Sequence, residues 1–272
     1  MLSNFLIVLA AGVLSMALRS YRHPFLHRMG TIGIFATSFL AGWLIGGNLL
    51  IGAAFAASWL LLPWLEILTR VRKLRLPIER RLEPRTPPNR SNFPNLNDLT
   101  QEIEDATFEQ LEDIGWEHDQ QQQFYRLFYH AASRTEAALC LVEQNELAFY
   151  YISLTSRNRD GKTYTTWNYP FSYSLRIIPR LEVNRVHGEL SFSQMLSDHH
   201  LFLDSKHIDI ATLDEQTADS LRVQLESDMR DQIIHNIKRG LLKKDGENFI
   251  RYSARGMLFL WVQFLRDLVR LS

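Results

Sequence analysis

The chain divides by polarity near position 65. Between positions 2 and 65 the only charged residues are Arg19, Arg22 and Arg28, whereas from Thr69 onward charges occur throughout. Residues 2–18 form an uncharged run of 17, at the short limit for a membrane-spanning helix. A signal peptide would show a basic start and a small-residue cleavage site. MLSN and the residues that follow supply neither, so a retained helix is expected. Residues 31–65 are 35 positions without a charged side chain. As one straight helix they would extend about 52 Å, against a hydrocarbon core about 30 Å thick. Gly46-Gly47-Asn48 lies in the middle, and Gly and Asn accept the left-handed backbone of tight turns. The pattern predicts a transmembrane region over 1–69, with helices at about 2–18, 28–45 and 49–65. Trp43, Trp59 and Trp64 are candidates for the interfaces.

Charge placement selects among topologies. With three spans, Arg19, Arg22 and Arg28 share a side with Arg70, Arg72, Lys73, Arg75, Arg80, Arg81, Arg85 and Arg90, while the uncharged turn lies opposite. Basic loops stay cytoplasmic, so the expected location is a bacterial inner membrane with the polar part of the chain in the cytoplasm. Gly42 and Gly46 form a G-x-x-x-G spacing that allows close helix approach, either within the hairpin or between copies.

The stretch GTIGIFATSFLAGWLIGGNLLIGAAFAASWLLLPWLEI, followed by LRLPIERRLEP, resembles the start of a bacterial membrane family associated with AAA ATPases. The resemblance implies a helical hairpin with a short Gly-Asn turn, then a basic stretch, then a von Willebrand A-like domain. It covers roughly residues 30–85. Downstream the chain departs from that family, having no D-x-S-x-S metal-site motif and no alternating Rossmann-like pattern. The resemblance therefore bears on the hairpin and assigns no residue a role.

Residues 70–95 mix basic residues with Pro77, Pro84, Pro87, Pro88 and Pro94. Each proline removes a donor and restricts its predecessor, so an extended juxtamembrane linker is expected rather than a long helix. Arg70, Arg72, Lys73, Arg75, Arg80 and Arg81 are the candidate membrane-surface residues, each contributing about 1 kcal/mol if held near anionic lipid. From Asp98 to Asp119 there are nine acidic residues and no Lys or Arg. Leu96, Leu99 and Ile103 predict that an amphipathic helix begins there.

Residues 96–272 are expected to form one cytoplasmic α+β domain. From Gln122 the runs QFYRLFYH, TEAALCLVEQ, ELAFYYISLTSR and KTYTTWNYPF are aromatic and β-branched, and short breaks separate them, including Asp160-Gly161. They predict an antiparallel β-meander, with LEVNRV as a further strand. Trp167, Tyr169, Phe171 and Tyr173 continue an aromatic row at period two. Trp167, Tyr169 and Tyr151 are the candidate ligand-binding residues, although such rows also serve as core. Helices follow at about 191–207 and 214–239, then a hairpin at Asp245-Gly246 and a last apolar helix from Met257. This ending resembles a winged-helix module. The mixed charge of its penultimate helix makes a poor phosphate-facing surface, so nucleic acid is not expected as a partner.

Candidate chemistry is sparse. The single cysteine, Cys140, sits in a buried-strand pattern and cannot form an intramolecular disulfide. His199, His200 and His207 are the nearest approach to a metal set. Their spacing lacks the i, i+3 or i, i+4 relation, so a solvent-facing polar side is expected and no metal. Phosphate-loop, nucleophile-elbow and C-x-x-C motifs are absent, and no cofactor is implied. The reading is a membrane-anchored scaffold or adaptor that contacts the bilayer and a protein partner, or that self-associates. The alternative is a sensor or lipid- or small-molecule-binding module using the aromatic sheet face.

Overall fold

The computed structural model describes residues 2–21, 23–119, 121–144, 147–188 and 190–271, with the side chains of 2–4, 24, 27, 28 and 268–271 outside the description. The chain folds as two compact units. One comprises Met1–Leu74, Ser172–Ser174 and Arg251–Ser272; the other comprises Arg75–Phe171 and Leu175–Ile250. The final helix thus belongs with the N-terminal helices, and the chain after position 96 divides between the units.

The first unit contains α1 (Leu2–Arg19), α2 (Pro24–Gly46), α3 (Leu49–Thr69) and α7 (Ala254–Leu271). Two helices, over Met29–Gly46 and Leu49–Lys73, are long and apolar enough to cross a membrane; Phe5–Arg19 is a shorter apolar helix. The turn forms at Gly-Gly-Asn. Gly47 takes φ +64° and its N–H donates to the Trp43 carbonyl, which terminates α2. Asn48 is the N-cap of α3, its side-chain oxygen accepting from Leu50 N at 2.9 Å. Small residues set the approach of the legs. A Cβ on Gly42 would lie 2.7 Å from the Phe55 Cβ, and one on Gly52 would lie 2.8 Å from the Phe39 carbonyl oxygen. Between α1 and α2 the same role falls to Gly30 and Gly33 against Ser15. The Trp59 indole N–H donates to Ser38 Oγ across the hairpin at 2.8 Å. Outward-facing Leu, Ile and Phe cover these helices. Of the arginines expected between the first two spans, Arg22 and the Arg28 side chain lie outside the described residues.

The second unit is built on a seven-stranded sheet in the order β2-β3-β4-β5-β6-β7-β8. The strands are β2 (Glu83–Pro84), β3 (Glu109–His118), β4 (Gln121–His130), β5 (Thr135–Gln144), β6 (Leu147–Arg157), β7 (Thr163–Trp167) and β8 (Leu181–Arg185). From β2 to β7 each pairing is antiparallel, as the short breaks between the runs predict for β4 to β7, whereas β8 pairs with β7 in parallel. The sheet is therefore mixed, and the purely antiparallel meander is corrected. The reason is the crossover 168–180, which returns the chain to the start of β7. Asn236 of α6 (Ala218–Lys238) holds it through both the N–H and the carbonyl of Arg176.

The sheet also begins earlier than its apolar pattern suggests. Only α4 (Leu96–Asp105) is helical in the acidic segment, and Glu109–His118 is a strand. Its charges are compatible with a sheet because Asp113 lies opposite Arg126 and forms a two-point ion pair with it, at 2.8 and 2.7 Å. The proline-rich linker is likewise drawn into the fold. Leu76–Pro77 forms β1, which joins β10 (Phe249–Tyr252) and β9 (Leu242–Lys244) in a three-stranded sheet; Glu83–Pro84 forms β2. Both prolines stand on edge strands, where a missing donor costs little. The helix–hairpin–helix ending is present as α6, β9–β10 and α7, but its sheet takes a third strand from β1.

Each sheet face has its own core. On one side Phe124, Phe128, Leu139, Leu141, Ile152 and Leu154 pack against Phe93, α4 and α5 (Phe192–Ser205). On the other, Ile114, Trp116, Tyr125, Leu127, Tyr129 and Cys140 pack against Leu82 and the Leu221 side of α6. A buried ion cluster ties that second face to α6, with Arg157 bonded to Glu136 at 3.0 Å and to Asp228 at 2.6 Å.

Candidate functional site

Strand alternation puts Tyr151, Cys140, Tyr125 and Ile114 in one cross-strand row, and Phe149, Val142, Gln123 and Trp116 in the next. The α6 side of the sheet therefore carries an aromatic surface. At its β6–β7 end Tyr151, Trp167 and Tyr169 come together as the sequence predicts, joined by Phe149 and Phe171. Strand β7 ends at Trp167, yet the rings continue. Tyr151 meets Trp167 edge-on at 6.2 Å and Tyr169 at 5.1 Å, and Phe149 meets Phe171 edge-on at 4.9 Å. These rings fill one another's faces, which is the geometry of favourable aromatic packing. All five are half-buried. Burial raises the Tyr125 and Tyr151 hydroxyls well above the ordinary phenol range and pushes the Cys140 thiol up to about 12, so all three stay neutral.

At the β3 end the same surface opens into a cleft of about 500 Å³. Three separate segments line it: 77–85, 115–118 and 247–249. Its floor is Trp116, whose indole donates to Gln123 Oε1 at 2.8 Å; Tyr125 donates to the same oxygen. The Arg80 guanidinium stacks over the Trp116 ring at 4.5 Å. Arg85 pairs with Glu117 at 3.0 Å, and His118 faces the Phe249 ring at 5.5 Å. Gly115 matters here, since a Cβ would lie 2.3 Å from the Gln123 carbonyl oxygen and 3.1 Å from Arg85 Cγ. Arg80, Arg81 and Arg85 supply three positive charges, against Glu79, Glu83, Glu117 and Glu247. A lining of both signs around aromatic walls does not select an anion. It suits a polar segment carrying both charges.

The expected membrane-surface residues separate. Arg70, Arg72 and Lys73 are exposed in the first unit, with Arg70 paired to Glu66. Arg75 and Arg80 instead make contacts in the second unit. Arg75 pairs with Asp245 and lies over Phe249, Arg80 covers Trp116, and Arg81 stays exposed at the cleft. Gly42 and Gly46 pack within the hairpin, against Phe55 and Ile51.

The histidines also separate, and the solvent-facing account of His199 is corrected. Its side chain is fully buried, with Nε2 3.1 Å from Ser156 Oγ and Nδ1 3.0 Å from Thr166 Oγ1. Burial lowers its pKa to about 3, with the nearby His200 adding to the shift. Such an imidazole is a poor proton acceptor, and Ser156 beside it is equally inaccessible, so the pair pins α5 to the sheet rather than attacking a substrate. Among the described residues no three His, Cys, Asp or Glu side chains gather as a metal site would require.

The cleft residues Trp116, Glu117, His118 and Phe249 were not singled out by sequence, because the segments that carry them meet only through the two sheets. No protein-family model, no curated protein and no solved structure matches this chain.

Proposed function

We propose that the protein is a membrane-anchored scaffold or adaptor, with three N-terminal spans and its polar unit held on the cytoplasmic side of a bacterial inner membrane. Outward-facing large apolar side chains along α1–α3 support the anchor, since water would not tolerate so continuous an apolar surface. The observation that carries the adaptor reading is the two-signed cleft lined by 77–85, 115–118 and 247–249, which offers the half-buried Phe249 and charged rims to a partner's polypeptide. The resemblance of the hairpin makes a membrane-associated ATPase assembly one partner class to look for.

A photo-crosslinking residue at Arg81 tests this in native membranes. A discrete protein adduct, lost when Phe249→Ala and Arg85→Glu are combined, supports the adaptor. Adducts indistinguishable from those of a probe at Val223, which is exposed on α6, would count against it. A reporter fused after Ser272 should be active only in the cytoplasm; periplasmic activity would reject the three-span topology.

A second reading, a small-molecule or lipid sensor, draws on the half-exposure of Trp167 and Tyr169. Their mutual edge-on packing favours a structural role. Ligand-dependent quenching that disappears in Trp167→Phe would revive the sensor.

A further inference from the structure

Helix α7 is tied to the membrane-type helices at two places. The Trp261 indole N–H donates to the Leu60 carbonyl of α3 at 2.7 Å, and the Trp261 and Trp64 rings stack at 6.1 Å with 30° between planes. Pro63 lies inside this stretch of α3 and has no N–H to give the Trp59 carbonyl, one position before Leu60. Further along α7, the Asp267 carboxylate accepts from both the backbone N–H and the hydroxyl of Ser172, at 2.6–2.9 Å. Gly256, Leu260 and Gln263 are buried.

The remaining side of α7 carries a distinct order of residues. Arg255, Leu258, Val262 and Arg266 follow one another at spacings of three and four, all exposed, with Leu258 51% and Val262 37% accessible. Two apolar residues are thus flanked by an arginine at each end, about 16 Å apart along the helix. The level at which α7 meets α3 is also informative. Leu60 and Trp64 close the uncharged run, and Glu66 is the first charged residue after it. On α3, Leu61 and Leu65 next to the contact are 60% and 63% exposed.

We propose that α7 is an interfacial membrane helix. Docked on α3 at the Trp64–Trp261 pair, it rests at the boundary between acyl chains and headgroups. Leu258 and Val262 enter the upper hydrocarbon, and Arg255 and Arg266 extend to headgroup phosphates. The occupant of the exposed face is the lipid bilayer, argued from its continuity with a helix already apolar enough to span and from the arginine–apolar–arginine order, which lets long basic side chains reach outward. Trp at this depth is likewise where an amphipathic ring is stable. The proposal rests on α3 being a membrane span and goes beyond it, because α7 carries Arg255, Arg266, Asp267 and Arg270 within its 18 residues and is too charged to cross.

The test uses the full chain in nanodiscs of phosphatidylcholine and phosphatidylglycerol, with nitroxide labels at Leu258→Cys and Val262→Cys. Leu61→Cys is the lipid control and Val223→Cys the aqueous one. Labels at 258 and 262 are expected to meet oxygen more readily than a water-soluble nickel chelate, matching 61 and opposite to 223. Nickel access at 258 and 262, or protection from both reagents as under a protein partner or a second copy, overturns the proposal while 61 still reports lipid. Nickel access at 61 as well overturns the membrane reading itself. On the unmodified chain, phosphatidylcholine bearing a diazirine in its acyl chain should label a peptide covering 256–265. Labelling confined to peptides from α1–α3 refutes the interfacial placement.

Discussion

His199 sets a pH limit on the second unit. It is fully buried between Ser156 and Thr166 and held neutral, with its pKa lowered to about 3 by burial, whereas an unfolded histidine titrates at 6.5. Above pH 6.5 neither state binds the proton and the full stability is present. As the pH falls below 6.5 the unfolded chain takes up a proton that the folded chain refuses, and the loss continues down to about pH 3. Each pH unit in this window costs about 1.4 kcal/mol, so the drop from pH 7 to pH 5 amounts to about 2 kcal/mol. His199→Gln removes the titration while keeping an amide that can donate and accept. Denaturant titrations of the full chain, read by hydrogen exchange on peptides from β5, β6 and α5, isolate this unit from the N-terminal helices. Wild type should lose about 2 kcal/mol more than His199→Gln between pH 7 and pH 5, other histidines cancelling in the difference. Equal losses in the two proteins would show that His199 is protonated in the fold, or reached by water, and would refute the buried-pin account.

Arg157→Met should cost about 1–3 kcal/mol, because it leaves the half-buried Glu136 without its cation while Asp228 keeps Arg180; unfolding midpoints measure this, and a neutral result would mean water already screens the cluster. Gly52→Ala should force α2 and α3 apart, since its Cβ would meet the Phe39 carbonyl at 2.8 Å and the Trp43 Cβ at 3.1 Å; a loss of about 1–3 kcal/mol is expected in mixed-micelle unfolding. Cys140, buried and with its thiol pushed up to about 12, should resist maleimide at pH 8 until denaturant is added; fast labelling of the folded chain would contradict the packing of the sheet on α6.

Much of the architecture could be read from the chain where one physical demand dominated. The 35 uncharged residues could not be a single span, and Gly47 with positive φ beside the Asn48 cap is what such a run needs to reverse. The central strands were legible because Leu139, Leu141, Ile152 and Leu154 face a dry core and alternate with residues of the other face. Strand β3 was hidden by its own partner. Asp113 reads as a solvated acid until Arg126 is placed opposite it, and pairing is not a local property of sequence. The direction of β8 was hidden for a similar reason, since the crossover is held by Asn236, a polar residue buried within a helix that otherwise reads as mixed charge.

His199 is a different kind of miss, because its signal was present. Phe192, Met195, His199 and Leu203 recur at helical spacing, and all four are buried. His200 and His207 beside it suggest a metal set, whereas His199 completes the apolar stripe. A histidine on such a stripe needs two partners for its ring nitrogens, and the sheet supplies Ser156 and Thr166 from adjacent strands. Ser156 also lies 3.1 Å from Thr135 Oγ1, so the imidazole joins a buried set of hydroxyls that the sheet supplies. The cleft gave no comparable sign. Arg80 looks like one more membrane-facing cation until its guanidinium is found over Trp116, and only the pairing of β1 with β10 and of β2 with β3 brings 77–85 beside 115–118 and 247–249. A basic run beside an apolar helix has two physical uses, and here Arg75 and Arg80 are taken up by Asp245, Phe249 and Trp116, with Pro77 and Pro84 on the edge strands of the two sheets.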